Sequence, residues 1–170
     1  IDHIDFIGSR DVIEDPEAGK VIGQILAEVD DVDAKEHILV IATTNRPHML
    51  HSSLLRPGRF DKMFYVPPPN LEAREKIFGI YLKNIPLAPD VTEQTLKELA
   101  KNSDDYSSAD IAAIVDEAKL MAVINATDLA NRVVSRGHLM NALDRVESSI
   151  TPEDLESASN FMKVYKARKM

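Results

Sequence analysis

The sequence contains no cysteine. That excludes a disulfide framework and a thiolate metal site, and it fits a reducing compartment. Its histidines are scattered, and no pair has the spacing that puts two zinc ligands on one helical face. No apolar run reaches the length of a membrane span, and no secretory signal is visible. Positive charge is also scarce: 20 Lys+Arg stand against 28 Asp+Glu, a formal net charge of −8. A general basic surface for nucleic acid is thereby disfavoured, the only basic cluster being the tail residues Lys163, Lys166, Arg168 and Lys169. The expectation is a soluble, cytoplasmic chain whose 170 residues suffice for a real core in one or two compact units.

Against these absences one stretch stands out, Ile38 to Pro69, ILVIATTNRPHMLHSSLLRPGRFDKMFYVPPP. Ile38 to Ala42 is apolar without alternation, the pattern of a strand covered on both faces of a parallel sheet. It turns polar at Thr43-Thr44-Asn45, where open α/β sheets place ligands, beyond a strand's carboxyl end. Arg56-Pro57-Gly58-Arg59 then sets two guanidinium groups on either side of a turn dipeptide, and guanidinium suits phosphate. Met63 to Val66 reads as another buried strand, stopped by three prolines. Taken singly, these residues have plainer roles. Asn45 is a common turn residue, Arg59 can pair with Asp61, and Arg56 can cap a short helix from Ser52 to Leu55.

Jointly, the ATTNRP and LRPGRFD segments resemble the second region of homology of the AAA ATPases, within the AAA+ superfamily. The resemblance is closest to the branch of valosin-containing protein, proteasomal ATPases and katanin-like enzymes. It implies that Asn45 is the polar sensor orienting the attacking water, and that Arg56 and Arg59 are arginine fingers. The opening IDHIDFIGSR resembles the end of a Walker B strand. By that resemblance Asp2 holds magnesium, generally through water. The next position usually carries the Glu that polarises the lytic water, and here it is His3. A neutral imidazole can accept a proton, but its ring places the acceptor differently from a carboxylate. No GxxxxGK[ST] loop occurs in the sequence, so the expectation is the carboxyl-terminal part of a larger protein.

Asp11 to Lys20 is acidic and interrupted by Pro16 and Gly19, so it reads as a loop. The resemblance makes it the second pore loop of a ring; otherwise it is a solvated connection. Val21, Ile22, Ile25, Leu26 and Val29 recur at helical spacing, predicting an amphipathic helix of roughly ten residues. It ends in the acidic turn Asp30-Asp31-Val32-Asp33.

After Pro69 the strand signals stop. Asn70 is placed to cap a helix carrying Leu71, Ile77, Phe78, Ile80 and Tyr81. Thr92 opens a second, with Leu96, Leu99 and Ala100. Ser107 to Asp110 is an S-x-x-D box before a long apolar helix through Ile111, Ile114, Val115, Ala118 and Ala122. Ser135 caps a fourth, with Leu139, Leu143 and Val146 on its inner face. Thr151-Pro152-Glu153-Asp154 starts a last helix carrying Leu155, Ala158, Phe161, Met162 and Tyr165. This half resembles the helical AAA lid. Ser108-Ala109-Asp110 stands where the family has a Gly-Ala-Asp motif against the nucleotide, with Ser in place of Gly. Tyr81 matches the position packing by the adenine, although its spacing also suits a core aromatic.

The fold class implied is α/β: the carboxyl-terminal part of a P-loop NTPase parallel-sheet core over 1–69, then an α-helical lid subdomain over 70–170. The implied cofactors are ATP and Mg2+. The implied function is an ATP-driven unfoldase or remodelling motor, a homo-oligomer forming a hexameric ring around a protein substrate, with the fingers acting across subunits. The alternative is a hydrolysis-deficient subunit that keeps the fold and fingers but has lost the base at His3. A nucleic-acid role is disfavoured by the acidic balance.

Overall fold

The computed structural model describes residues 1–9, 16–32, 37–126 and 132–168. The chain separates into two compact units, one of residues 1–66 with 153–170 and the other of residues 67–152. The final helix therefore groups with the amino-terminal segment, not with the helices before it, which differs from a lid running unbroken over 70–170.

In the first unit, α1 (Asp5–Gly8) and α2 (Pro16–Val32) pack together. Pro16 at the head of α2 breaks nothing, because the first helical position has no intrahelical N–H partner to lose. The loop expected over 11–20 is thus helical from Pro16 onward, and residues 11–15 lie outside the described residues. α2 is accordingly longer than the predicted ten residues. Ile22, Leu26 and Val29 are its buried stripe, whereas Val21 is exposed. Ile4, Leu26, Leu50 and Leu54 form the core cluster, with Ile7, Ala42, Leu55 and Phe60 packed against it. A Cβ at Gly8 would come within 2.5 Å of Leu54 Cδ1, so the missing side chain lets α1 approach this cluster.

The expected buried strands at Ile38–Ala42 and Met63–Val66 are not found as ladder strands. Leu39, Ile41, Phe64 and Val66 are largely exposed. A continuous apolar strand is stable only between neighbours that pair its edges and cover its faces, and the described residues supply little of either. One exchange survives. Ile1 N donates to Ile41 O at 2.7 Å and Ile1 O accepts from Thr43 N at 2.9 Å, the pattern two parallel strands make around one residue. The short helix expected over Ser52–Leu55 is a hydrogen-bonded turn, closed by Leu54 N to His51 O at 3.1 Å and Leu55 N to Ser52 O at 3.2 Å.

The second unit is built from α3 (Leu71–Leu82), α4 (Glu93–Asn102), α5 (Ser108–Asn125) and α6 (Arg136–Leu143). Its starts follow local capping chemistry. Asn70 accepts from Ala73 N at 2.9 Å, Ser107 and Ser135 each form a reciprocal capping box with the third helical residue, and Thr92 N donates to Thr95 Oγ1 at 3.2 Å. Phe78, Leu99, Ile111, Ile114, Ala118, Leu139 and Ala142 are fully enclosed in one core. The predicted inner face of α3 is narrower in fact: Leu71 and Ile80 are exposed, and Phe78 with Leu82 does the burying. The parallel bridge Leu87–Val134 ties the α3–α4 connection to the segment entering α6. Arg74 is buried without cost in unmet donors, reaching Ala100 O at 3.0 Å, Pro69 O at 2.9 Å and Asp104 Oδ1 at 3.0 Å. The last helix, α7 (Pro152–Arg168), opens with Pro at its first position and two acids on its positive end.

Candidate functional site

In the first unit, the chain just before α1 and the residues after Ala42 meet as they leave the parallel exchange. The Thr43 hydroxyl donates to Asp2 Oδ1 and accepts from His3 N at 3.0 Å. One side chain thus bridges the carboxylate and the backbone of its neighbour. The Thr43 hydrogen bond, and then the charge of His3, hold the Asp2 carboxyl below its ordinary value of 3.8, so it is a carboxylate at neutral pH. Asp2 is largely exposed, an arrangement that suits a hard, hydrated cation. His3 has φ 50°, in the left-handed region, and its Nε2 lies 4.0 Å from Asp2 Oδ2. Its ring stands edge-on to Phe6, with centroids 5.7 Å apart.

Beside this pair, Thr44 Oγ1 donates to the buried Asp5 at 2.7 Å and accepts from Arg46 N at 2.9 Å. Asn45 sits between these anchored residues at an exposed bend, directly before the 3-10 turn Pro47–Met49. Its position is set by flanking hydroxyls that spacing alone did not single out.

The arginine turn has the marks of type II geometry. Gly58 has φ 87° and Arg59 N donates to Arg56 O at 3.3 Å. Asp61 Oδ1 accepts from Gly58 N at 2.9 Å and closes the turn from its far side. The two arginines leave it differently. Arg56 is exposed. Arg59 is gripped by Asp30 at the end of α2, Nε to Oδ1 at 2.6 Å and Nη2 to Oδ2 at 2.6 Å, while Nη1 donates to Ser53 O at 2.8 Å. That bidentate pair lowers the Asp30 pKa and raises that of Arg59. The partner of Arg59 is therefore Asp30 and not the nearer Asp61. The acidic run was visible in sequence, though it closes α2 and is not a turn after it, and nothing there says which acid meets an arginine so far along the chain.

In the second unit, Tyr81 Oη lies 3.5 Å from Ser108 Oγ. Tyr81 is 40% exposed and stands outside the core cluster, which argues against the plain core role. Ser108 and Ala109 occupy the first turn of α5 and are exposed. Asp110 behind them is buried. Burial pushes its pKa up, but hydrogen bonds from Ser107 and Ser149 outweigh this and leave it below its ordinary value of 3.8. The sequence-predicted residues thus form two groups, Asp2, His3, Asn45, Arg56 and Arg59 in the first unit, and Tyr81, Ser108 and Ala109 in the second.

Residues 1–68 match the sequence model of the ATPase family associated with various cellular activities (AAA). These residues belong to the AAA ATPase family. The chain is 38% identical over 148 residues to the cell division cycle protein 48 homolog of Archaeoglobus fulgidus, covering 81% of this chain and 20% of that protein. It is 43% identical over 135 residues to the proteasome-activating nucleotidase of Methanocella arvoryzae, covering 77% and 32%. To the ATP-dependent zinc metalloprotease FtsH of Caulobacter vibrioides it is 47% identical over 106 residues, covering 62% and 16%. The chain therefore spans a third or less of the length of these curated relatives. AAA ATPases have the P-loop NTPase fold and bind nucleotide. Among the described residues, no helix is long and apolar enough to cross a membrane.

Proposed function

We propose that this chain supplies the sensor, finger and lid elements of a AAA module that couples ATP binding and hydrolysis, in an oligomeric ring, to the unfolding or remodelling of protein substrates. The observation that carries this reading is the joint presence of Asp2, Asn45 and the Arg56–Arg59 turn within the family-matched residues 1–68. Residues 1–69 act as core elements and helices α3 to α6 as lid, with α7 grouping with the first unit. Magnesium, when bound, neutralises charge on the phosphates. Asp2, ionised and fixed by Thr43, is the residue placed to hold it through water. Asn45 orients the attacking water, and Tyr81, Ser108 and Ala109 face the nucleotide from the lid. The exposed Arg56 reaches a neighbouring subunit's nucleotide; Arg59 does so on leaving Asp30.

A finger is worth ~10³–10⁵ in turnover. Arg56→Ala with Arg59→Ala should therefore abolish turnover of the assembled protein while leaving nucleotide affinity in the mutant's own pocket nearly intact. Mixing that variant with one disabled in phosphate binding should restore some activity, where an intact pocket meets an intact finger. Absence of rescue in well-mixed rings sinks the trans arrangement.

A second reading has one observation behind it: His3 occupies the position of the water-polarising Glu. In that case the ring binds ATP and serves as an assembly or regulatory scaffold. His3→Glu separates the two. A gain of ~10²–10⁴-fold in turnover, the worth of a positioned general base, marks a hydrolysis-deficient subunit. Unchanged turnover marks a competent histidine.

A further inference from the structure

The helix α7 touches both ends of the segment that carries the sensor and the fingers. Ser157 Oγ lies 3.3 Å from Nδ1 of His48, in the 3-10 turn that follows Asn45 and Arg46. Tyr165 Oη donates to the Asp61 carbonyl at 2.9 Å, at the close of the arginine turn. Ser157, Phe161 and Tyr165 recur one helical turn apart and are all half-buried, so they mark the docked face. The helix rises about 12 Å from Ser157 to Tyr165. A single rod therefore fixes two points of an irregular stretch that, among the described residues, is otherwise bridged to another segment by the isolated pair Leu50–Ser9.

Asp61 is the pivot of this arrangement. Its carbonyl is held by Tyr165, while its side chain holds Gly58 N, the amide at the apex of the turn. Gly58 separates Arg56 from Arg59, so the direction of both guanidinium groups depends on the turn that Asp61 closes. We infer that α7 is a brace for the sensor–finger segment, and that Tyr165 is a positioning residue acting through Asp61 on the arginine turn. This rests on the reading of Arg56 and Arg59 as fingers for its effect on turnover, but not for its effect on the turn itself.

Two readouts on the Tyr165→Phe variant of the full chain keep those parts distinct. The first needs no nucleotide. Removing the hydroxyl while keeping the ring should speed amide exchange at Gly58 and Arg59 about fivefold, the factor one neutral hydrogen bond contributes. Exchange within α7 should stay unchanged. Deleting 153–170 should extend the effect to the amides of Met49 and Leu50. Exchange at Gly58 and Arg59 unchanged in both variants overturns the brace, whatever the protein does with ATP.

The second readout is turnover of the assembled protein, in a His3→Glu background if the native rate is too low to measure. Tyr165→Phe should lower kcat about tenfold with KM for ATP unchanged, since a displacement of about 1 Å can cost about 100-fold. Faster exchange with an unchanged kcat overturns the positioning role. If Arg56→Ala also leaves kcat intact, the finger reading falls with it. A rise in KM without loss of kcat would place Tyr165 with nucleotide binding and equally overturn the proposal.

Discussion

The two units contrast in how they satisfy themselves. The unit of residues 67–152 encloses a continuous core from Phe78 to Leu143, and its helix starts carry side-chain caps. Its buried charges are answered at close range: Arg74 by two carbonyls and Asp104, Asp110 by Ser107 and Ser149. Among its described residues, the unit of residues 1–66 with 153–170 buries a small cluster around Ile4, Leu26, Leu50 and Leu54. It leaves Leu39, Phe64 and Val66 more than four-fifths exposed. The difference is one between helices and strands. A helix satisfies its backbone within four residues and needs a partner for one face only. A buried strand needs both edges paired and both faces covered. The candidate chemistry lies mostly in the unit that is less complete by this measure, where side chains such as Thr43, Thr44 and Asp61 take over fixing the backbone.

The largest break in the comparison should come from Phe78→Ala. The side chain is fully enclosed, and its loss should cost the second unit about 3–5 kcal/mol. In a denaturant titration followed residue by residue, amides of α3 to α6 should lose protection while those around Ile4 and Leu54 keep theirs. A loss shared equally by both units would show that they fold as one.

A smaller effect should follow from Asp110→Ala, which leaves Ser107 N, Ser149 N and Ser149 Oγ without their shared acceptor. About 1–3 kcal/mol of second-unit stability should go. The sign of the pH dependence follows from the lowered pKa. The contribution is fully present above the unfolded value of 3.8 and is lost as pH falls through the still lower folded value. Acid titration of stability in the native chain should show that loss, and the Asp110→Ala chain should lack it. An unchanged acid profile in the variant would sharpen the comparison differently, by moving the acid-sensitive contact elsewhere.

The smallest effect should be that of Leu39→Ser or Phe64→Ser in the first unit. Both side chains are more than four-fifths exposed, so chemical denaturation should register a change within about 0.5 kcal/mol. A loss approaching that of Phe78→Ala would mean these side chains are packed in solution, and the contrast between the units would collapse.

What the amino-acid sequence determined by itself is what depends on near neighbours. Asn70, Thr92, Ser107 and Ser135 announced their helices because a cap bonds two or three residues ahead. Ile111, Ile114, Val115, Ala118 and Ala122 announced a buried face because helical periodicity places them on one stripe. The Arg56–Arg59 turn was legible for the same reason, Pro and Gly prescribing its dihedral angles. Pro16 was misjudged where proline has two opposite meanings, breaker inside a helix and starter at its first residue. The apolar runs at Ile38 and Met63 satisfy a pattern for strands, but pairing is a property of two segments and cannot be read from one. The tertiary structure alone decided that Thr43 holds Asp2, that Asp30 and not Asp61 grips Arg59, and that Tyr165 reaches the carbonyl of Asp61. Each of these contacts joins residues far apart along the chain. Any of several acids or hydroxyls would satisfy the local rules equally well, and only the packing of the elements between them brings one particular pair within hydrogen-bond distance.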